Sequence, residues 1–270
     1  MIRRLINRKL VMLLACCAAV AALALPAATR TSSADDLSGI ELMQVTRVAQ
    51  GGAEYAGLQY LTARSQGFVN VAPFAAVGLG GGMAATGQVE VRVNITDYQD
   101  REMRRRLDVS PTGPVMGGPT FLVFTGSEGG GMFLGNAFRV TEVATSRQWA
   151  MMGFGTLNRA ADGNLRALRQ RDEVLNGQPH YVVEVVFNPT DTVRFWINKR
   201  TFLTSRVVTR YNSRELIVED RSDYRKVSCM MLPFRVVTKL TGQRLADLTI
   251  DSYDIQTVVP SARFTMTAGD

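Results

Sequence analysis

The chain has 270 residues, 46% of them hydrophobic and 20% charged, with a formal net charge of +7. That length suits one domain with its own apolar core, and no linker, repeat or low-complexity tract divides it. Residues 1–28 supply four of the positives, and the remaining +3 lacks the concentrated charge of a nucleic-acid binder.

At the N-terminus, Arg3, Arg4, Arg8 and Lys9 precede an uncharged run over residues 10–25, rich in Leu, Val and Ala. Pro26 and small residues follow, and Ser32-Ser33-Ala34 offers a small-x-small cleavage site before Asp35. A basic start, a short apolar run and a small-residue exit make a secretory signal peptide. Residues 1–34 are therefore expected to be a signal, and 35–270 a single domain exported to the periplasm. The alternative is an uncleaved anchor that keeps the domain on the periplasmic side of the membrane. Sixteen apolar residues fall short of the roughly 20 that a spanning helix needs. Leu13-Leu14-Ala15-Cys16 resembles a lipobox, but the apolar run continues nine residues past Cys16 instead of closing there. With Cys16 and Cys17 in the signal, Cys229 alone remains and no intramolecular disulfide can form. Beside Met230 and Met231, Cys229 reads as a small buried hydrophobe.

Residues 35–50 predict a helix capped by Asp35, with Leu37, Ile40, Val45 and Val48 as apolar faces and Gly51-Gly52 as its end. The pattern then turns to strands. Residues 88–96 alternate Val89, Val91, Val93 and Ile95 against Glu90, Arg92 and Asn94, a half-buried strand of period two. Further strands are expected over 58–72, 103–109, 120–124 and 132–140. Arg101, Arg104, Arg105 and Arg106 read as a solvated hairpin arm, or as a contact for anionic headgroups. The glycines at 78–82 and 129–131 read as flexible hairpin tips. Residues 141–158 predict one helix carrying Trp149, Met151, Met152 and Phe154. Strands over 165–174 and 180–187 flank Asn176-Gly177, a tight-turn dipeptide. A meander then runs through 192–197, 203–211, 214–224, 234–240 and 245–253. The class is α+β, mainly antiparallel β. About ten strands must curl into an incomplete barrel, with two or so helices covering the concave face.

Catalytic machinery is not evident. His180 is the only histidine, and it reads as a satisfied strand-end residue. No Gly-x-Ser-x-Gly elbow offers a nucleophile. One histidine and one cysteine make no zinc site, and neither glycine tract ends as a phosphate loop. Glu219, Asp220 and Asp223 could pair in a cleft, although acids near strand ends are usually solvated. No catalytic residue, metal ligand or cofactor is expected.

Three segments resemble the periplasmic outer-membrane lipoprotein-sorting proteins of the LolA/LolB-like superfamily. Residues 193–207, Val-Arg-Phe-Trp-Ile-Asn-Lys-Arg-Thr-Phe-Leu-Thr-Ser-Arg-Val, are similar to a strand-turn-strand of that family. Residues 222–236, Ser-Asp-Tyr-Arg-Lys-Val-Ser-Cys-Met-Met-Leu-Pro-Phe-Arg-Val, resemble its next hairpin, and Gln50-Gly-Gly-Ala-Glu-Tyr the glycine pair that ends its first helix. The likeness is best from 177 to 253. Asn198 stands where the family turn has Asp, and Ser228-Cys229 replaces a usual Asp-Gly or similar pair.

The resemblance implies an incomplete barrel closed by helices around an apolar cavity. It implies a carrier or chaperone for the acyl chains of a lipoprotein or lipid, with an inner- or outer-membrane partner. Trp149, Met151, Met152, Phe154, Phe121 and Phe195 are the expected lipid-binding residues, and residues 142–157 with the first helix the expected lid. The alternative on the same fold is an envelope protein-binding or stress-sensing module. Oligomeric state, cargo and lid movement are not fixed by the sequence.

Overall fold

A computed structural model describes residues 34–70, 90–112, 119–133, 135–140 and 143–266. The expected signal and the glycine loop at 78–82 lie outside the described residues. Residues 1–37 and 38–270 separate as two units, and all that follows concerns the second.

Its first helix, α1 (Gly39–Gln50), starts at Ser38 rather than at Asp35. Ser38 and Glu41 form a reciprocal capping box: the Glu41 amide donates to Ser38 Oγ, and the Ser38 amide donates to the Glu41 carboxylate at 2.8 Å. This arrangement satisfies two orphan donors at once, which a lone Asp three residues earlier cannot do. The helix stops at Gly51, whose φ of 141° suits glycine. A Cβ there would meet the Met230 side chain at 2.6 Å, so the helix end is seated on the strands. A short α2 (Ala53–Gly57) follows.

The strands are β1 (Tyr60–Asn70), β2 (Glu90–Asp100), β3 (Arg105–Pro111), β4 (Thr120–Phe124), β5 (Gly129–Phe133), β6 (Asn136–Arg139), β7 (Arg166–Arg169), β8 (Glu173–Leu175), β9 (Gln178–Val186), β10 (Asp191–Asn198), β11 (Thr204–Tyr211), β12 (Arg214–Val227), β13 (Met230–Leu240) and β14 (Gln243–Asp254). They form one antiparallel sheet in the order β6-β5-β4-β3-β2-β1-β14-β13-β12-β11-β10-β9-β7, with β8 also on β9. Consecutive strands pair from β1 to β6 and from β8 to β14; the pairings that skip along the sequence are β7 with β9 and the seam where β1 meets β14.

Among the described residues there are fourteen strands where ten or so were expected, partly because short segments break at glycine and turn residues. Gly129–Gly131 is not a hairpin tip. It lies within β5, where Gly131 (φ 151°) passes Phe121 of β4 so closely that a Cβ would stand 2.0 Å from its carbonyl oxygen. The Asn176-Gly177 turn does form, with φ of 51° and 74° at the two residues. Asn198 serves its turn as an aspartate would: its Oδ1 accepts from the amides of Arg200 and Thr201 at 2.9 and 3.1 Å.

The expected helix over 141–158 is two helices, α3 (Val143–Met151) and α4 (Phe154–Ala161), broken at Met152-Gly153. Helix α3 touches β4 and β5 as well as β10, β11 and β12. These strands lie far apart in the sheet order, so the sheet must curl to bring both limbs to one helix. The core repeats that geometry. Leu122 and Phe124 of β4, Trp149, Ala150 and Met152, and Ile217, Leu240 and Leu245 of β12 to β14 pack as one buried cluster. A smaller cluster of Val182, Trp196 and Val208 belongs to the opposite side chains of β9 to β11.

Candidate functional site

Within the curl, under α3 and α4, is a cavity of about 300 Å³. Its walls follow strand alternation. The inward phase of β2 contributes Val91, Val93 and Ile95, that of β3 Leu107 and Val109, and that of β14 Leu248 and Ile250. Helices supply Trp149 and Phe154 from the other side. An enclosure of this size with few polar groups is the usual form of a small-molecule site.

At one end the same inward phases turn polar. In β2, Ile95 is followed at period two by Asp97 and Gln99; in β3, Leu107 is preceded by Arg105; in β12, Ile217 is followed by Glu219 and Arg221. Arg105 donates in a fork to Asp97, Nε to Oδ1 at 3.0 Å and Nη2 to Oδ2 at 2.8 Å. Arg221 donates to Glu219 at 2.6 Å and, through Nη2, to the Met152 carbonyl at 2.9 Å. The two pairs are balanced in charge. Burial works against each guanidinium, but Asp97 and Glu219 around Arg105, and Glu219 beside Arg221, outweigh it and hold both pKa values above the ordinary arginine range. Burial also pushes Tyr55 up to about 12, partly offset by Arg221. The Tyr253 hydroxyl, raised by burial as well, donates to the Pro233 carbonyl.

Trp149 ties the polar end to the apolar wall. Its ring stacks on Phe124 with centroids 5.5 Å apart, and the Arg105 guanidinium lies 5.8 Å from its centre. Among the described residues, the buried atoms Arg105 Nη1, Trp149 Nε1 and Gln50 Oε1 have no hydrogen-bond partner.

Polar bonds fasten the helices over the cavity. The Phe154 amide donates to Gln99 Oε1 at 3.3 Å, and Asn158 Nδ2 to the Tyr55 carbonyl at 3.0 Å. Arg47 of α1 and Arg101 of the β2–β3 hairpin both pair with Asp162 at the end of α4. The arginine cluster is thus not a solvated arm. Arg104 pairs with Asp100 and Arg106 with Asp108, while Arg106 also stacks on Phe121 at 4.2 Å. Sequence alone showed the arginines but not their partners, which lie on the same strand, the neighbouring strand or the end of a distant helix.

Of the six expected lipid-binding residues, Trp149 and Phe154 border the cavity. Met151 and Met152 are buried at the α3–α4 junction without bordering it, and Phe195 is buried on β10. Phe121 is one residue out of phase with Leu122, which lines the cavity, and lies under Arg106 on the other face of β4. The expectation that Glu219 is solvated is corrected: it is 5% exposed and borders the cavity. Cys229 is likewise not buried. It occupies the exposed turn between β12 and β13, where its amide donates to Glu54 at 2.8 Å. His180 is satisfied, with Nδ1 2.8 Å from the Gln178 carbonyl and Nε2 2.8 Å from Ser205 Oγ. Among the described residues, no cluster of His, Cys, Asp and Glu could hold a metal ion, and no helix is long and apolar enough to cross a membrane.

No protein-family model matches the chain, and no curated protein does. Solved structures do. A LolA superfamily protein from Nitrosomonas europaea is 13% identical with a TM-score of 0.52, over 85% of this chain and 98% of that one. A domain described as an outer membrane lipoprotein-sorting protein, from Vibrio parahaemolyticus, is 10% identical with a TM-score of 0.48, over 84% and 95%. A DUF1329 family protein from Desulfovibrio piger is 10% identical at 0.47, over 84% and 95%. The first of these establishes that this chain shares its fold with a LolA superfamily protein.

Proposed function

We propose that this chain, built on the LolA-like fold, is a periplasmic carrier that holds the acyl chains of a lipoprotein or lipid in its cavity. The observation that carries the reading is the cavity itself: about 300 Å³, walled by inward Val, Ile and Leu side chains of β2, β3 and β14 and covered by helices. Burying a methylene contributes roughly 0.8 kcal/mol, so a long chain is held by such walls with little polar recognition. Trp149 and Phe154 contact the chain, with Met151, Met152, Phe121 and Phe195 supporting the walls from behind. Helices α3, α4 and α1 form a lid, fastened by the Arg47–Asp162 and Arg101–Asp162 pairs. The basic and apolar N-terminal segment supports export, and delivery then requires a membrane partner to open the lid.

Catalysis is disfavoured by how the reactive groups are engaged. The one histidine is bonded at both nitrogens, and both cavity carboxylates are tied to arginines. Each therefore lacks the freedom of a general base.

The test is binding of saturated acyl chains of increasing length to protein purified without detergent. Affinity should rise about fourfold per methylene, the equivalent of 0.8 kcal/mol, until the cavity is full. A flat response to chain length would sink the carrier reading. Retention of a protein partner by lipid-stripped material would then favour a protein-binding module.

A further inference from the structure

We infer that the outer face of the sheet over β9 to β14, turned away from the cavity, docks on an anionic lipid bilayer. The outward phase of these strands carries a repeated pattern, one acid held between two cations. Glu184 of β9 pairs with Arg194 of β10 at 2.9 Å and with Arg210 of β11 at 3.2 Å. Asp220 of β12 pairs with Arg206 of β11 at 2.5 Å and with Lys239 of β13 at 3.9 Å. Asp247 of β14 pairs with Arg235 of β13 at 3.1 Å and with Arg244 of its own strand. Register puts them on one face. Glu184 stands opposite Arg194, and Arg194 opposite Val208, which shares the phase of Arg206. Arg206 then stands opposite Asp220, Asp220 opposite Val237 and Val237 opposite Asp247.

Six cations against three acids leave this band three positive charges in excess. That equals the whole surplus of residues 29–270, which is the +7 of the chain less the four positives of residues 1–28. Glu90 with Arg92, and Glu215 with Arg214, flank the band without changing the excess. Depth favours the cations as well. The Asp247 side chain is 18% exposed, between Arg235 and Arg244 at 55% and 56%, so an approaching surface meets the guanidinium groups first. Each such cation near an anionic leaflet contributes about 1 kcal/mol of attraction. Beside this row stands an aromatic. Phe68 of β1 lies opposite Asp247 across the seam, and the Arg92 guanidinium is 5.3 Å from its ring centre. Among the described residues, Phe68 is the one aromatic in the set of exposed large hydrophobic side chains. Cations with an exposed ring make a surface suited to the headgroup boundary, where the ring enters and the charges stay outside. An acidic protein would account for the charge alone; a bilayer accounts for the ring as well. This inference is independent of what the cavity holds.

The experiment measures co-sedimentation of the full chain with phosphatidylcholine vesicles that contain rising proportions of phosphatidylglycerol. Binding should rise with phosphatidylglycerol and fall as salt is added. Arg235→Gln and Arg244→Gln each remove an exposed cation from the face, and each should weaken binding about fivefold, the equivalent of 1 kcal/mol per charge. Phe68→Ser should weaken it too, with the loss persisting at high salt. Arg139→Gln removes an exposed cation from β6, six strands from β14 in the sheet order, and should leave binding unchanged. The basic N-terminal segment is common to all these chains, so differences among them belong to the face. Equal losses in Arg139→Gln and Arg235→Gln would reduce the effect to net charge and overturn the inference. Vesicle binding indifferent to phosphatidylglycerol would overturn it as well. Capture of poly-glutamate without any response to vesicles would give the face to an acidic protein, and that too would overturn it. Both arginine positions are exposed, so either variant suffices where the other does not fold.

Discussion

His180 is 2% exposed, and both ring nitrogens have partners. Burial lowers its pKa, the Arg206 charge adds to that, and the Gln178 carbonyl only partly opposes them. The sign of the effect on stability follows. The unfolded chain takes up a proton near pH 6.5, while the folded ring resists it. The neutral ring thus contributes its full stability above about pH 6.5, and that contribution is lost as pH falls through the lowered folded value. As the chain's only histidine, it gives one imidazole signal by NMR. That signal should titrate below 6.5 and denaturation midpoints should fall over the same range; a midpoint at or above 6.5 would contradict this account. The residue-scale reading of the sequence did well for His180, read as a satisfied strand-end residue. It failed for Cys229 and for the arginines at 101–106. Hydropathy cannot tell a turn residue beside two methionines from a buried one, and ion pairs such as Arg101–Asp162 join positions far apart in the chain.

Strands were legible because their signals are local: β4, a continuous apolar run, and most of the meander from β9 to β14 fall where the sequence places them. The sequence also held an unread signal. Asp97, Arg105 and Glu219 stand in the same phase as Val93, Leu107 and Ile217, so inward-facing charge was visible as a break in the apolar phase. What alternation could not reveal was the β1–β14 seam, a pairing between segments far apart in the chain. Gly67 lies on that seam opposite Leu248. A Cβ at this position would stand 2.0 Å from the Asp247 carbonyl oxygen, which is backbone and cannot swing aside. Gly67→Ala should therefore destabilise the protein by about 1–3 kcal/mol. Amide exchange should quicken first in β1 and β14, with β9 to β11 less affected. Loss of protection spread evenly over the sheet would show that the seam is no weaker than its neighbours.

For the whole molecule, the curl, the covering helices and the cavity form one geometric unit. A sheet of this length cannot stay flat without exposing its apolar face, and α3 bridges its two limbs. Cavity volume is therefore a property of the curled sheet and is open to alteration from its wall. Ala246 of β14 borders the cavity and is 7% exposed. Ala246→Phe would fill part of the space, at an overpacking cost of about 1–3 kcal/mol. In the chain-length series, the length at which affinity stops rising should become shorter. An unchanged limit would mean that long chains lie elsewhere.

The seam has one more consequence. Gln66 and Asp251, hydrogen-bonded across it, are 185 residues apart in the chain. A nascent polypeptide emerges from its N-terminus, so β1 must wait for almost the entire remainder before its second neighbour exists. Loop closure over such a distance makes folding slow. Under the export proposed above, this delay would be useful: the chain could not complete its central seam before its last strand has been made.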